Sequence, residues 1–135
     1  MIKFTVPGEP KSKGRARFQR IGNFVKTYTP TETVAYENWV KMCYMESKSE
    51  KMDGQLGVNI ISYYNIPKSM SNKKREEAII GRLRPTKKPD VDNVSKVILD
   101  SLNKIAYHDD SSVVELTTVK YYGEDPRVEV EIYEV

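Results

Sequence analysis

The chain has 135 residues, of which 22 are Lys or Arg and 19 are Asp or Glu, and its formal net charge is +3. This length suits a single domain over residues 1–135 with a core of its own. The sequence has no run of roughly eighteen apolar residues and no apolar leader, which predicts a soluble, cytoplasmic protein without membrane contact. The only cysteine, Cys43, cannot form an internal disulfide and lies among apolar residues, so we expect a buried thiol.

The charges are unevenly distributed along the chain. Residues 1–30 and residues 68–88 each carry a net charge of +6, whereas residues 107–135 carry −6. Basic stretches combined with an acidic cluster are typical of a protein that holds a polyanion beside a cation site. Charged faces that only meet solvent are the alternative, and charge alone does not separate the two.

The first third of the chain predicts a strand, a loop and a helix. Residues 2–6 alternate between apolar and polar, as in a half-buried strand. Residues 8–23 have no hydrophobic period and are rich in Gly, Pro and Ser, which predicts a mobile basic loop. A helix should begin after Pro30, with Thr31 as its cap, and end by Ser49. Its predicted buried face consists of Ala35, Trp39, Met42 and Cys43.

The middle of the chain predicts a strand followed by two helices. Residues 56–66 are rich in β-branched and aromatic residues and end at Pro67. A short basic helix should follow, capped by Ser71 or Asn72. The next helix should start at Asp92 or Asn93. Its predicted buried stripe consists of Val94, Ile98, Leu102 and Ile105.

Two further strands complete the predicted elements. Residues 113–122 are apolar or aromatic on both faces, which predicts a central strand. Val128, Val130 and Ile132 alternate with polar residues in a final strand that buries one face. The predicted fold class is therefore α+β, a mixed β-sheet with helices packed against it in one domain.

Asp90 and Asp92 admit two interpretations. Asp92 is suited to cap the following helix, and Asp90 to sit in a turn after Pro89. Alternatively, if residues 90–92 are extended, both carboxylates point to one side. An acid from the later pair, Asp109 and Asp110, could then complete a three-carboxylate site for a hard cation such as Mg²⁺. A zinc site is not expected, because the chain has one histidine and one cysteine.

Lys96 lies four residues after Asp92 and four before Asp100, so the three share a helical face. One interpretation is a surface ladder of ion pairs that contributes little stability. The other is a lysine beside a metal site, placed to stabilise charge on a phosphate. The sequence has no match to an EF-hand loop or to a glycine-rich phosphate loop, which argues against those two kinds of site.

Residues 88–116, KPDVDNVSKVILDSLNKIAYHDDSSVVEL, resemble the core motif of the RusA family of Holliday junction resolvases, which are common in bacteria and prophages. The opening VPGEPKSKGRARF is similar to the basic amino-terminal segment of that family, and the resemblance covers most of the chain. It implies a RusA-like fold and a homodimeric endonuclease of DNA recombination and repair. Such an enzyme binds four-way junctions in branched DNA and makes paired nicks in opposing strands with Mg²⁺, or alternatively Mn²⁺.

The resemblance also implies roles for individual residues. The metal ligands would be Asp90, Asp92 and Asp110, with Asp109 as an adjacent acid, and Lys96 would be the essential lysine. The basic segments should hold phosphates through six side chains: Lys11, Lys13, Arg15, Arg17, Lys87 and Lys88. Two rival functions are a nuclease acting on other branched DNA and a non-catalytic DNA-binding protein.

Overall fold

The computed structural model describes residues 1–47 and 50–135 and contains both strands and helices. The α+β class predicted from the sequence is confirmed. No helix in these residues is long and apolar enough to span a membrane. The elements are β1 (Ile2–Pro7), β2 (Arg17–Ile21), β3 (Phe24–Tyr28), α1 (Thr31–Glu46), β4 (Leu56–Asn65), α2 (Asn72–Ile79), α3 (Val91–Leu102), β5 (Val113–Gly123) and β6 (Arg127–Glu134).

The main sheet has four strands in the order β1-β6-β4-β5. β6 pairs antiparallel with both β1 and β4, while β4 and β5 are parallel and are joined through α2 and α3. Alternate residues of β1 and β6 are buried, as the apolar alternation in the sequence predicts. The sheet is therefore mixed, and helices α1 and α3 pack together beside it.

Helix α3 supplies much of the core. Three of the four residues in its predicted stripe, Val94, Ile98 and Leu102, are fully buried. Ile105 lies beyond the end of the helix and is only partly buried against the core. The predicted short basic helix is also present as α2, and Ser71 caps it by accepting a hydrogen bond from the Lys74 backbone N–H.

The buried face predicted for α1 is wrong. Trp39 and Met42 are 39% and 54% exposed, and Ala35 is also exposed. The face that packs inward carries Tyr36, Val40, Cys43 and Tyr44. Tyr44 explains why this face of α1, rather than the predicted one, packs inward. Its ring packs edge-on against Phe4 of β1, with the ring centroids 5.6 Å apart. The buried Cys43 thiol is as predicted, whereas the predicted helix end at Ser49 lies outside the described residues.

Strand β5 is at the edge of the sheet, so the prediction of a central strand is wrong. β6 returns antiparallel on the other side of β4 and takes the interior position. The apolar residues that suggested a central strand, such as Val114 and Leu116, are exposed. Residue type alone fits both positions, because β-branched and apolar residues are common in edge and central strands alike.

The region predicted to be an irregular loop contains a β-hairpin. β2 and β3 pair antiparallel and form a separate two-stranded sheet. All ten of their residues are exposed, so the hairpin has no buried face to create a hydrophobic period. Gly22 occupies the turn with a φ of 59°, a backbone conformation that glycine adopts without strain.

Candidate functional site

The face of α3 opposite the core lines a cavity of about 460 Å³, here called the acidic cavity. Asp92, Lys96 and Asp100 contribute from α3, where their four-residue spacing places them on one face. Asp110 contributes from the short turn before β5, and Thr118 from β5 itself. The cavity thus brings together three carboxylates and one ammonium group from separate parts of the chain.

Asp110 begins a short 3₁₀ turn, Asp110–Ser112, and its neighbour Asp109 caps that turn. The Asp109 carboxylate accepts a hydrogen bond from the Ser111 backbone N–H at 3.0 Å. The pKa of Asp109 is lowered by hydrogen bonding to the Ser111 side chain first and by this backbone hydrogen bond next. Asp109 is not among the residues that line the acidic cavity. The two adjacent aspartates therefore differ, because Asp109 serves the turn while Asp110 faces the cavity.

Tyr107 attaches the segment before this turn to α3. Its hydroxyl donates a hydrogen bond to the Leu99 carbonyl at 2.7 Å, and the residue is fully buried. Burial, together with the nearby charge of Asp110, raises the pKa of the phenol. The position of Asp110 relative to α3 is thus fixed by a hydrogen bond that the sequence pattern did not reveal.

Asp90 occupies the N-cap position of α3, and its side chain makes no capping hydrogen bond. Asp92 lies in the first turn of the helix, so residues 90–92 do not have the extended geometry that the metal-site interpretation assumed. The alternative interpretation, in which Asp92 caps the helix, is also wrong. Asp90 does not line the acidic cavity. The pKa of Tyr64 is raised to about 12, first by burial of the phenol and next by the negative charge of Asp90.

The segment before α3 is attached to the sheet at two points. The Tyr64 hydroxyl donates to the Pro89 carbonyl, and the Lys120 ammonium donates to the Lys87 carbonyl at 2.6 Å. The Lys120 ammonium also lies 4.8 Å from the centre of the Tyr64 ring. These two side chains hold the backbone on which Lys87 and Lys88 are carried, and sequence reasoning did not single out either one.

Two of the predicted carboxylate ligands are placed where they could hold a hard divalent cation. Asp92 and Asp110 present carboxylate oxygens, and Mg²⁺ is commonly held by one or two carboxylates together with waters and substrate phosphates. Among the described residues there is no group of three or more His, Cys, Asp or Glu side chains arranged to hold a metal ion. The structure therefore brings Asp92 and Asp110 together but does not add Asp90 to them.

A second cavity, of about 590 Å³ and here called the basic cavity, is formed by the amino-terminal segment. Four of the six predicted phosphate-binding residues line it, namely Lys11, Arg15, Arg17 and Lys88. Lys87 is exposed beside Lys88 but does not line the cavity. Cationic side chains from two distant segments thus meet at one surface, which favours binding of an anion.

Lys13 differs from the other basic residues of its segment. Its ammonium lies 3.3 Å from Glu37 Oε2 and 3.1 Å from Asp100 Oδ2. Burial lowers the pKa of Lys13, but the hydrogen bonds and charges of the two carboxylates outweigh that effect and raise it overall. Asp100 is therefore paired with Lys13, and Lys96 has no ion-pair partner within 4.0 Å in the part of the chain that the structure describes.

Comparison with known proteins gives two matches. The family model described as Endodeoxyribonuclease RusA matches residues 7–133, which is nearly the whole chain. A protein of Bacillus subtilis (strain 168), described as Uncharacterized protein YqaN, is 43% identical over 137 residues, covering 99% of this chain and 96% of the relative. The family match agrees with the resemblance carried by residues 88–116.

Proposed function

Because this chain belongs to the RusA family of endodeoxyribonucleases, we propose that it resolves four-way DNA junctions by paired, divalent-metal-dependent nicks. The observation that carries the proposal is the acidic cavity, where Asp92 and Asp110 lie with Lys96. Within the described residues, neither aspartate side chain forms an ion pair or accepts a hydrogen bond from a protein group. Both carboxylates are therefore available to a ligand.

Asp92 and Asp110 would hold Mg²⁺, with Mn²⁺ as the alternative metal. When bound, such an ion polarises a phosphate oxygen and lowers the pKa of water, which supplies the nucleophile for phosphodiester hydrolysis. Lys96 extends from the same helical face and would stabilise the negative charge that grows on the phosphate. Asp90, which does not line the cavity, remains the third metal ligand that the resemblance predicts.

The basic cavity would bind the phosphates that flank the cleavage site. Lys11, Arg15, Arg17 and Lys88 supply positive charge for contacts with phosphates, which do not themselves specify sequence. Such contacts orient the DNA and make binding strongly dependent on salt. The two cavities thus have different roles in the proposal. The basic cavity holds the DNA backbone, and hydrolysis takes place in the acidic cavity.

A homodimer is part of the proposal because paired symmetric nicks need two identical sites. Closed twofold symmetry is the commonest way to provide them. In the described residues the edge strand β5 pairs with β4 alone and exposes Val114, so it offers a surface for a second copy. Sedimentation equilibrium of the purified chain tests this part of the proposal, and a monomer at the concentrations where cleavage occurs would contradict it.

The proposal is tested by incubating the protein with an end-labelled synthetic four-way junction in Mg²⁺, in Mn²⁺ and in EDTA. We expect paired nicks on opposing strands with either metal and none in EDTA. Flap and replication-fork substrates are included, because faster cleavage of these would favour a nuclease for other branched DNA. Binding without cleavage under all metal conditions would favour a non-catalytic DNA-binding protein.

The adjacent aspartates provide a matched pair of variants. Asp110→Asn should lower cleavage by about a hundredfold or more while junction binding persists, because a metal ligand is lost. Asp109→Asn should cleave nearly as well as the wild type, because asparagine can also accept the capping hydrogen bond from Ser111. Equal losses in the two variants, or no loss in Asp110→Asn, would contradict the assignment. Asp90→Asn, measured alongside, tests the third ligand.

A further inference from the structure

The Lys13 side chain is attached to two helices through carboxylates. Its ammonium contacts Glu37 of α1 and Asp100 of α3, and the side chains of Lys13, Glu37 and Asp100 are only 23%, 16% and 25% exposed. Ion pairs that are partly withdrawn from water are screened less than those on an open surface. This cation therefore joins the amino-terminal segment to α1 and α3.

The next residue extends the same attachment. The Gly14 backbone N–H donates a hydrogen bond to Thr33 Oγ1 of α1 at 3.0 Å. A Cβ at position 14 would lie 2.6 Å from that oxygen and 3.1 Å from Cγ of Pro30, so only glycine allows this close approach. The contacts of Lys13 and Gly14 together fix the middle of the basic segment against α1.

Three other cations of this segment face the basic cavity, which Gly14 also lines. Lys11, Arg15 and Arg17 line the basic cavity, whereas Lys13 does not. Asp100, which holds Lys13, lines the acidic cavity. The bridge thus connects the segment that forms one cavity to the helix that forms the other. The hairpin that follows is fully exposed and does not join the main sheet, so it contributes no buried face that would position the segment.

We infer that Lys13 is a positioning residue, which holds the basic cavity in a fixed relation to the acidic cavity through Glu37 and Asp100. This inference rests on the proposed function and adds to it. Lys13 does not contact phosphate, and Asp100 does not serve as a metal ligand, because each is the other's partner. The bridge orders the segment before DNA arrives, which reduces the entropy lost on binding.

The inference is tested by whether replacing an acid with its amide weakens or strengthens DNA binding. Removing a negative charge from a DNA-binding protein ordinarily strengthens binding, because repulsion of phosphate decreases. We expect the opposite for Glu37→Gln, namely a Kd for a four-way junction in EDTA that rises about fivefold, because the bridge is weakened. The control is Glu32→Gln on the same helix, which removes an acid that lines the basic cavity without contacting Lys13. Its Kd should be unchanged or lower.

Lys13 variants separate positioning from catalysis and from direct contact with DNA. Lys13→Met should raise the Kd at least as much as Glu37→Gln, because Glu37→Gln leaves the contact between Lys13 and Asp100 in place. The double variant should bind no more weakly than Lys13→Met alone, because without Lys13 the Glu37 carboxylate has no bridge left to break. Lys13→Arg should restore binding to within about twofold, since a guanidinium can also pair with carboxylates. At saturating protein, all of these variants should cleave at the wild-type rate. Tighter binding by Glu37→Gln, or additive losses in the double variant, would overturn the inference.

A measurement on the free protein keeps the inference testable if the chain proves not to act on DNA junctions. Hydrogen exchange of the backbone amides at residues 11–28 should accelerate about fivefold in Glu37→Gln, with exchange in β4 and β6 unchanged. The control Glu32→Gln should leave both regions unchanged. Unaltered exchange at residues 11–28 would refute the bridge, whereas a failure of junction cleavage alone would refute only the proposed function.

Discussion

Replacing Lys96 by methionine should abolish most cleavage while leaving the fold intact. Lys96 is exposed on α3 and lines the acidic cavity beside Asp92 and Asp110. Methionine is nearly as long and has a similar helix propensity, so the change removes the charge with little effect on the helix. The perturbation is therefore directed at the electrostatics of the cavity.

The structure sets the expected magnitudes. Asp100, the partner that a surface ladder would require, is paired with Lys13 at 3.1 Å, and Lys96 has no ion pair in the described chain. The unfolding free energy should therefore change by less than about 0.5 kcal/mol, as is usual for surface substitutions. Loss of a cation that stabilises transition-state charge should lower the rate about a hundredfold, which corresponds to about 2.7 kcal/mol.

Single-turnover cleavage of a labelled junction, at saturating protein and metal, is the appropriate assay. Lys73→Met on α2 is the control, because it removes an exposed helical lysine that lines neither cavity. Lys96→Arg keeps the charge but replaces a compact ammonium with a planar group, and we expect it to be nearly inactive as well. Wild-type rates in Lys96→Met would remove this residue from the mechanism, even if the aspartate variants behave as expected.

Other predictions concern stability and DNA binding. Leu102→Ala should lower the unfolding free energy by about 2–5 kcal/mol in urea titrations, because Leu102 is fully buried in the core. The pKa of Tyr64 is raised to about 12 from an ordinary value of 10.0, so the unfolded chain loses this proton first and stability should fall as pH rises through that interval. Tyr64→Phe should make urea stability less dependent on pH there. Arg15→Gln and Arg17→Gln should each reduce the slope of log Kd against log salt by about one, for any junction sequence.

Hydrophobic periodicity predicted the elements that bury one regular face. Strands β1 and β6 and helix α3 each place apolar residues at the spacing of their own secondary structure, and each was identified from that spacing. Helix α1 was located, but its buried face was misassigned because two of its inward residues, Tyr36 and Tyr44, are tyrosines. A tyrosine buries a large ring, and the predicted face, which included Trp39 but no tyrosine, overlooked this.

The β2–β3 hairpin was missed because every one of its residues is exposed. One local signal was present, since Gly22 and Asn23 separate two five-residue runs that contain aromatic or β-branched residues. Gly-Asn is a common two-residue hairpin turn. Strand β5 was identified, but its position in the sheet was not. Its composition fits a central strand, whereas the pairing of β6 with β4 leaves β5 at the edge.

The candidate site could be located from the sequence, but the roles of neighbouring charges within it could not. Asp109 and Asp110 are chemically identical and adjacent, and only the 3₁₀ turn decides that Asp109 caps while Asp110 faces the cavity. The resemblance chose Asp110 through family motifs rather than through any local signal. The spacing of acids along the sequence does not distinguish Asp109 from Asp110, because it carries no information on the 3₁₀ turn.

The basic segment presents the same problem with a consequence for DNA binding. A charge count gives Lys11, Lys13 and Arg15 equal weight, yet Lys13 is partnered by Glu37, which lies 24 residues away in the sequence, and by Asp100. Its charge is therefore already balanced within the protein, and we expect Lys13 to release no counterion on DNA binding. The net charge of the segment overstates the number of phosphates it can neutralise, so the salt dependence of junction binding should follow the cations that line the basic cavity.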